Sequence, residues 1–258
     1  MSDQGTRGAA PGTVMLEHLA GVERHAAPVL DALAPVLLDR VLEGGLVHTT
    51  GAGHSLEAML ETFYRPGGLA CVHPLYDRSL LPLHGAAAST AAERTPGLGT
   101  RIVEVADPGP HDLVVVFSNS GVNPYPVEVA QAFRRRRLPV VAVTSRAASL
   151  AATPRAGARL VDVSDHILDT LVPPGDVAYP PAAPRTASLS SLVNTFVWNM
   201  LLASVHDLAT GRGAELPLWR SSNAPGGDEW NAGLLASYGA TVKALSAPAS
   251  GDGPADAR

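Results

Sequence analysis

The 258-residue chain has one cysteine, few aromatic residues (5%), and fewer bases than acids, 19 Lys and Arg against 24 Asp and Glu. Each shortage removes a class of protein. A lone cysteine, Cys71, forms no internal disulfide, and within its apolar stretch it reads as a small buried hydrophobe rather than a nucleophile. A net charge of −5 argues against nucleic acid as a partner, because a phosphate backbone calls for a basic surplus. No run approaches the ~20 apolar residues of a membrane span, and the first thirty residues lack a basic start followed by an apolar segment. A soluble cytoplasmic protein is therefore expected, bound to neither membrane nor nucleic acid. The nine histidines fall at no metal-ligand spacing and cysteine pairs are lacking, so no metal site is expected. What the chain does have is 46% apolar residues, enough to bury a substantial core in one large α/β domain or two small ones.

Residues 1–12 are Gly/Ala-rich and polar, and are expected to form a disordered lead. Leu19, Val22, Ala26, Val29, Leu33, Val36 and Leu37 then recur at helical steps, with Pro28 and Pro35 expected to kink or split the helix and Gly44-Gly45 to end it. Apolar runs follow at 46–50, 69–73, 113–117, 139–144 and 158–163, most of them separated by helical patterns. Short buried strands alternating with helices predict a parallel sheet covered on both faces. A broadly apolar closing helix over 188–210 suggests a homodimer or larger assembly with that helix at the contact. The main domain is expected over 13–212. An irregular extension follows over 213–258, frayed at 247–258.

Two strand ends carry the functional signal. In "TTGAGHSLEAMLETFYR" a glycine turn leads into a helix, whose first N–H groups favour an anion. A dinucleotide fingerprint fits poorly, because its third glycine position is Leu56 and the second strand ends in Val72-His73 rather than an acid. Leu56, Met59, Leu60 and Phe63 should take the buried face of this helix, with His54, Glu57, Glu61 and Arg65 opposite. Glu61 is then either a surface partner of Arg65 or a functional carboxylate.

The second is "VVVFSNSGVNPYP". Here Ser118 and Ser120 are placed to donate to phosphate oxygens, Gly121 allows a backbone nest, and Asn123 with Pro124 starts the next helix. A Ser/Asn-rich turn that only caps a helix is the competing reading. Thr144-Ser145 ends the fourth run in the same way. Three hydroxyl-bearing turns at one sheet edge suggest one anion pocket, formed by Gly53, His54, Ser55, Ser118, Asn119, Ser120, Gly121, Asn123 and Ser145.

"GAGHS", "FSNSG" and "VTS", in that order, resemble the three loops of the SIS (sugar isomerase) domain family of phosphosugar isomerases, lyases and phosphosugar-sensing regulators. "GHSLEAMLETFYRPGGLA" and "SNAPGGDEWNA" extend the resemblance to a bacterial group of SIS proteins, over roughly residues 13–240. The resemblance implies a flavodoxin-like αβα sandwich with a five-stranded parallel sheet, a phosphate held by the Ser-x-Ser-Gly loop, and active sites shared across a dimer. Phosphoheptose isomerases of this family carry a metal-binding His and Glu on the first-loop helix. The matching positions here are Glu61 and Arg65, so that zinc site is not reproduced. N-acetylmuramic acid 6-phosphate etherases have a Gly-Ala-Gly-Thr-Ser turn closer to this one, with their catalytic glutamate falling near Arg65.

Isomerases and eliminating lyases of sugar phosphates both begin by removing the proton beside the carbonyl, which needs a base, an acid and an enolate stabiliser. Glu61 is the proposed base, and His84, Glu93 and Arg94 the acid and stabilising candidates. His84 otherwise reads as a helix-start residue and Glu93 as an arginine's partner. His48, inside a strand, reads as a satisfied core residue, and the run 134–137 as a solvated helix end. Segment 223–231 reads as a lid or as a surface loop, too Gly-rich to start a helix. The reading reached is a lyase that dehydrates an amino-sugar 6-phosphate such as N-acetylglucosamine 6-phosphate. No cofactor is needed, because the aldehyde already acidifies the C2 proton. An aldose–ketose isomerase and a non-catalytic phosphosugar sensor are the alternatives.

Overall fold

Valine-rich runs with both faces apolar can only be buried on both sides, and here they pair as the core of a parallel sheet. The computed structural model describes residues 10–246. Its strands are β1 (Val47–Gly51), β2 (Val72–Pro74), β3 (Leu113–Phe117), β4 (Val140–Thr144) and β5 (His166–Asp169), in the order β2-β1-β3-β4-β5. All four pairings are parallel. Alternation along the strands divides the core in two. Val47, Val115, Phe117, Val141 and Val143 face helices α1 (Pro11–Leu42) and α7 (Ser190–Gly211). Val114, Val116, Val140 and Ala142 face α5 (Pro124–Arg135) with Tyr125 and Phe133. Helices α2 (Ser55–Thr62), α3 (Ala86–Arg94), α4 (Leu98–Ala106), α6 (Arg146–Ala151) and α8 (Gly227–Tyr238) and a hairpin, β6 (Val177–Tyr179) with β7 (Thr186–Ser188), complete the chain. This is the expected αβα sandwich.

Several local expectations are corrected. α1 runs unbroken through Pro28 and Pro35. Each proline removes one backbone hydrogen bond, but Val22, Ala26, Leu30, Leu33 and Leu37 are buried along one side, and that burial outweighs the loss. α1 already begins at Pro11, inside the segment expected as a lead; residues 1–9 and the end expected to fray, 247–258, lie outside the described residues. Residues 158–163 form no strand. Leu160–Asp162 is a single 3-10 turn, and Leu160 is buried against Gly121, its N–H donating to the Gly121 carbonyl at 2.7 Å. The fifth strand forms only afterwards, from His166. On α2 the buried residues are Leu56, Ala58, Met59 and Thr62, while Leu60 is 68% exposed.

A helix does start inside 223–231. Gly227 opens α8 where any Cβ would meet the Ser221 carbonyl oxygen at 2.1 Å, so the glycine is a packing requirement rather than a breaker. α7 lies close to its expected bounds. Its stripe of Val193, Val197, Leu201 and Val205 is buried in the core shared with α1, while Leu192 stays 40% exposed. Among the described residues no helix is long and apolar enough to cross a membrane.

Candidate anion cradle at the carboxyl edge

In the order β2-β1-β3-β4-β5 the chain direction of the crossovers reverses between β1 and β3, which opens a crevice at the carboxyl ends of those strands. The loop after β3 borders it. Gly121 holds φ +58°, and a Cβ there would stand 2.8 Å from the Leu160 Cβ and 3.2 Å from the Thr144 Oγ1, so only glycine fits the turn. The Asn119 carbonyl accepts from the Ser145 N–H at 3.0 Å and from the Thr144 hydroxyl at 3.2 Å, and Ser118 Oγ accepts from the Gly121 N–H at 3.3 Å. These bonds fix the loop from behind. Among the described residues the N–H groups of Asn119, Ser120, Val122 and Asn123 and the hydroxyl of Ser120 have no protein partner. Buried or half-buried donors of that kind require an acceptor from outside the fold.

Asn123 stands at the N-cap of α5 but makes no side-chain cap there. Its Oδ1 instead accepts from Arg155 Nη1 at 2.9 Å, while the Arg155 N–H donates to the Val122 carbonyl at 2.8 Å. An exposed guanidinium is thereby tied to the loop by its own backbone and side chain. Sequence reasoning missed Arg155. The contact spans 32 residues, and a local pattern carries no signal of that.

The first loop is less open than expected. Gly53 (φ +59°) gives its N–H to the Leu80 carbonyl and Ser55 gives its own to Ala52, each at 3.1 Å. Among the described residues its unpartnered groups are the His54 N–H, the Ser55 hydroxyl and the exposed His54 imidazole. Ser145 is fully buried. Its hydroxyl donates to the Val172 carbonyl at 2.6 Å and accepts from the Ala148 N–H at 3.0 Å, which makes it the N-cap of α6 rather than an open donor.

Glu61 is paired with Arg65, the bland alternative of the sequence, and also accepts from Asn199 Nδ2 of α7 at 3.3 Å. Both α2 and α7 start at the carboxyl edge and run down the sheet. With Asn199 beside Glu61, Ser55 stands about 9 Å and Asn194 about 7.5 Å nearer the carboxyl edge, at ~1.5 Å per residue. Asn194 is 1% exposed, and neither atom of its amide has a partner among the described residues. Glu61 and Asn199 thus meet on the exposed side of the α2–α7 contact, whereas Asn194, about 140° around α7 from Asn199, points into the core. In sequence Asn194 was one of several polar residues within a greasy helix, and nothing distinguished it.

His84, Glu93 and Arg94 do not join Glu61. His84 closes a 3-10 turn (Pro82–His84) and its Nδ1 faces Arg78 Nη2 at 3.4 Å; Glu93 and Arg94 end α3. Within one chain these residues form no catalytic group with Glu61. Cys71 is buried, and burial pushes its thiol up to about 12, consistent with an inert core residue.

At the opposite edge, His48 Nε2–H donates to Asp112 Oδ2 at 2.8 Å. The N–H groups of Leu46 and Gly109 also donate to Asp112, at 2.8 and 2.9 Å. Burial alone would raise the Asp112 carboxyl, but these bonds outweigh it and hold the group below its usual range. His73 lies against His48, ring centroids 4.9 Å apart, and burial, then the neighbouring His48, lowers it to about 4. Among the described residues no cluster of His, Cys, Asp and Glu could hold a metal ion.

Comparison with known proteins agrees with the architecture. The SIS domain family matches residues 13–145. A UPF0309 protein of Geobacillus kaustophilus is 31% identical over 233 residues, 89% of this chain and 93% of the relative. One from Streptomyces coelicolor is 33% identical, over 88% and 93%. Phosphoheptose isomerase from Neisseria gonorrhoeae has the same fold, with a TM-score of 0.53 and 19% identity over 77% of this chain and 96% of its own. The chain belongs to the SIS domain family, and its likeness to UPF0309 proteins runs through nearly its whole length.

Proposed function

We propose that this protein is a phosphosugar-processing enzyme that removes the C2 proton of an amino-sugar 6-phosphate, with N-acetylglucosamine 6-phosphate as substrate and loss of water across C2–C3 as the reaction. One observation carries the phosphate assignment: four backbone N–H groups and the Ser120 hydroxyl lack acceptors in a loop to which the Arg155 guanidinium is tied. Such a set suits a dianion, which takes charge-assisted hydrogen bonds from each donor. Ser55 and Ser118 flank it, and Asn123 positions Arg155.

The chemistry is assigned to Glu61, the carboxylate of α2 beside Asn199. Glu61 takes the C2 proton of the open-chain aldehyde, and the electron pair moves into a C1–C2 enolate. Collapse of the enolate expels the C3 hydroxyl, which leaves as water after gaining a proton. Nitrogen on C2 blocks the ketose route, since that carbon would have to become a carbonyl. His84, Glu93 and Arg94 lie beyond β2 and take part only if a second copy carries them over the cradle, as in a homodimer with shared sites.

Proton NMR of N-acetylglucosamine 6-phosphate with the protein in D₂O tests the reaction. Loss of the C2 signal with a new vinylic proton is expected. Ketose formation from glucose 6-phosphate with C2 exchange would make the protein an isomerase, and binding without either would make it a sensor. Glu61→Gln should abolish C2 exchange; if exchange persists, another group is the base.

A further inference from the structure

A large cavity lies between α2 and residues 73–83. It measures about 750 Å³, and Lys243 and Ala244 close one side of it. Its walls are carbon-rich, with Leu56, Met59, Leu60, Phe63 and Leu83. Two of these stand unusually open for their size, Leu60 at 68% and Leu83 at 88% exposure. Gly53 and His54 line the same cavity, and both also belong to the first loop of the phosphate crevice. Cavity and crevice thus share a wall. Polar groups are few: His54, Glu57, His73, Tyr76 and Lys243, with the His73 Nδ1 buried and without a partner among the described residues.

A bare hexose phosphate would use little of this space, because its hydroxyls gain nothing from apolar walls. A mostly apolar pocket of this volume with a few convergent polar groups is the ordinary form of a small-molecule site. We propose that the cavity beside α2 is a subsite for an apolar substituent of the phosphosugar, so that the substrate class is a sugar phosphate carrying an acyl or similar hydrocarbon group. The inference rests on the phosphosugar reading above. It adds that specificity beyond phosphate comes from hydrocarbon contact with Met59, Leu60 and Leu83, while His54 stands between the two subsites.

The test is calorimetry with glucosamine 6-phosphate and its N-acetyl, N-butanoyl and N-hexanoyl derivatives, each beside the unphosphorylated sugar. Kd should fall roughly three- to fourfold per added methylene, the value of a buried CH₂. The double variant Leu60→Ser, Leu83→Ser should flatten that dependence while esters still outbind free sugars. Both residues are exposed, so the variant should fold. If esters bind but chain length has no effect, this inference fails and the phosphosugar reading stands. If no ester outbinds its free sugar, both fail. If the double variant turns a dimer into a monomer in sedimentation while chain length never mattered, the cavity is filled by a second copy and the subsite is overturned.

Discussion

The two edges of one sheet use their polar groups for different ends. At the amino edge Asp112 takes three donors, from Leu46, His48 and Gly109, and is saturated. At the carboxyl edge the loop after β3 keeps four N–H groups and a hydroxyl unmatched, with Arg155 beside them. The first arrangement holds strands together. The second leaves binding capacity in place at some cost to stability, which is what a ligand site requires. Among the described residues single unpaired atoms also occur at the amino edge, the Nδ1 of His48 and of His73, so what marks the carboxyl edge is several unpaired donors converging on one loop beside a guanidinium.

The comparison breaks most visibly at Asp112. Asp112→Ala would leave two backbone N–H groups and the His48 Nε2–H buried without an acceptor. A loss of about 3–5 kcal/mol is expected, the range for breaking one side of a buried hydrogen-bonded pair. Denaturant unfolding measures it. The folded fraction should bind phosphate esters as before, and a loss under 1 kcal/mol would remove the structural role assigned to the amino edge.

Gly121 probes the other edge. Gly121→Ala puts a Cβ at φ +58°, 2.8 Å from the Leu160 Cβ, so the loop must shift. About 2–3 kcal/mol of stability should go, together with ester binding. Gly53→Ala is the control. Its φ is +59° but its Cβ would meet nothing within 4 Å, so only the backbone penalty of about 1–2 kcal/mol remains.

His73 gives the amino side a pH signature. Its folded pKa of about 4 lies below the ordinary 6.5, so the unfolded chain binds the proton more readily between those values. Stability therefore rises with pH through that window and is lost as pH falls from 6.5 toward 4. After allowance for partial exposure the loss is about 2 kcal/mol. His73→Phe should flatten that limb in pH-dependent thermal unfolding. The Asp112 contribution, from a lowered carboxyl, should persist and be lost only at lower pH.

Much of this was legible in the residues. β3 was read correctly from "LVVVF", because a five-residue apolar run between turns has no other home in an α/β fold. β5 was not, because "HILD" is short and half polar while "ARLVDV" has the stronger strand pattern. Tertiary use of Leu160 as a plug behind Gly121 overrode that pattern. Hydroxyls and a glycine at a strand end made the second loop visible. Which of its groups are free was not visible, since that depends on partners 25 to 32 residues away, as with Thr144 on Asn119 and Arg155 on Asn123. The same limit hid Asn194 and let Ser145 look like an open donor.

Two serines from these turns sharpen the comparison at its smallest scale. Ser120 Oγ has no partner among the described residues, whereas Ser145 Oγ is bonded to both Val172 and Ala148. Ser120→Ala removes nothing the fold uses, so stability should change by less than ~0.5 kcal/mol. Ester binding should weaken by roughly 1–3 kcal/mol, or about tenfold to a hundredfold, with the free sugar unaffected. Ser145→Ala should do the reverse. Losing an N-cap costs about 1 kcal/mol of stability, and phosphate affinity should hold. Calorimetry and denaturant unfolding on the same two variants read both quantities. If Ser145→Ala proved the more damaging to ester binding, the cradle would lie nearer β4 than β3. The unpaired donors of 119–123 would then need another ligand.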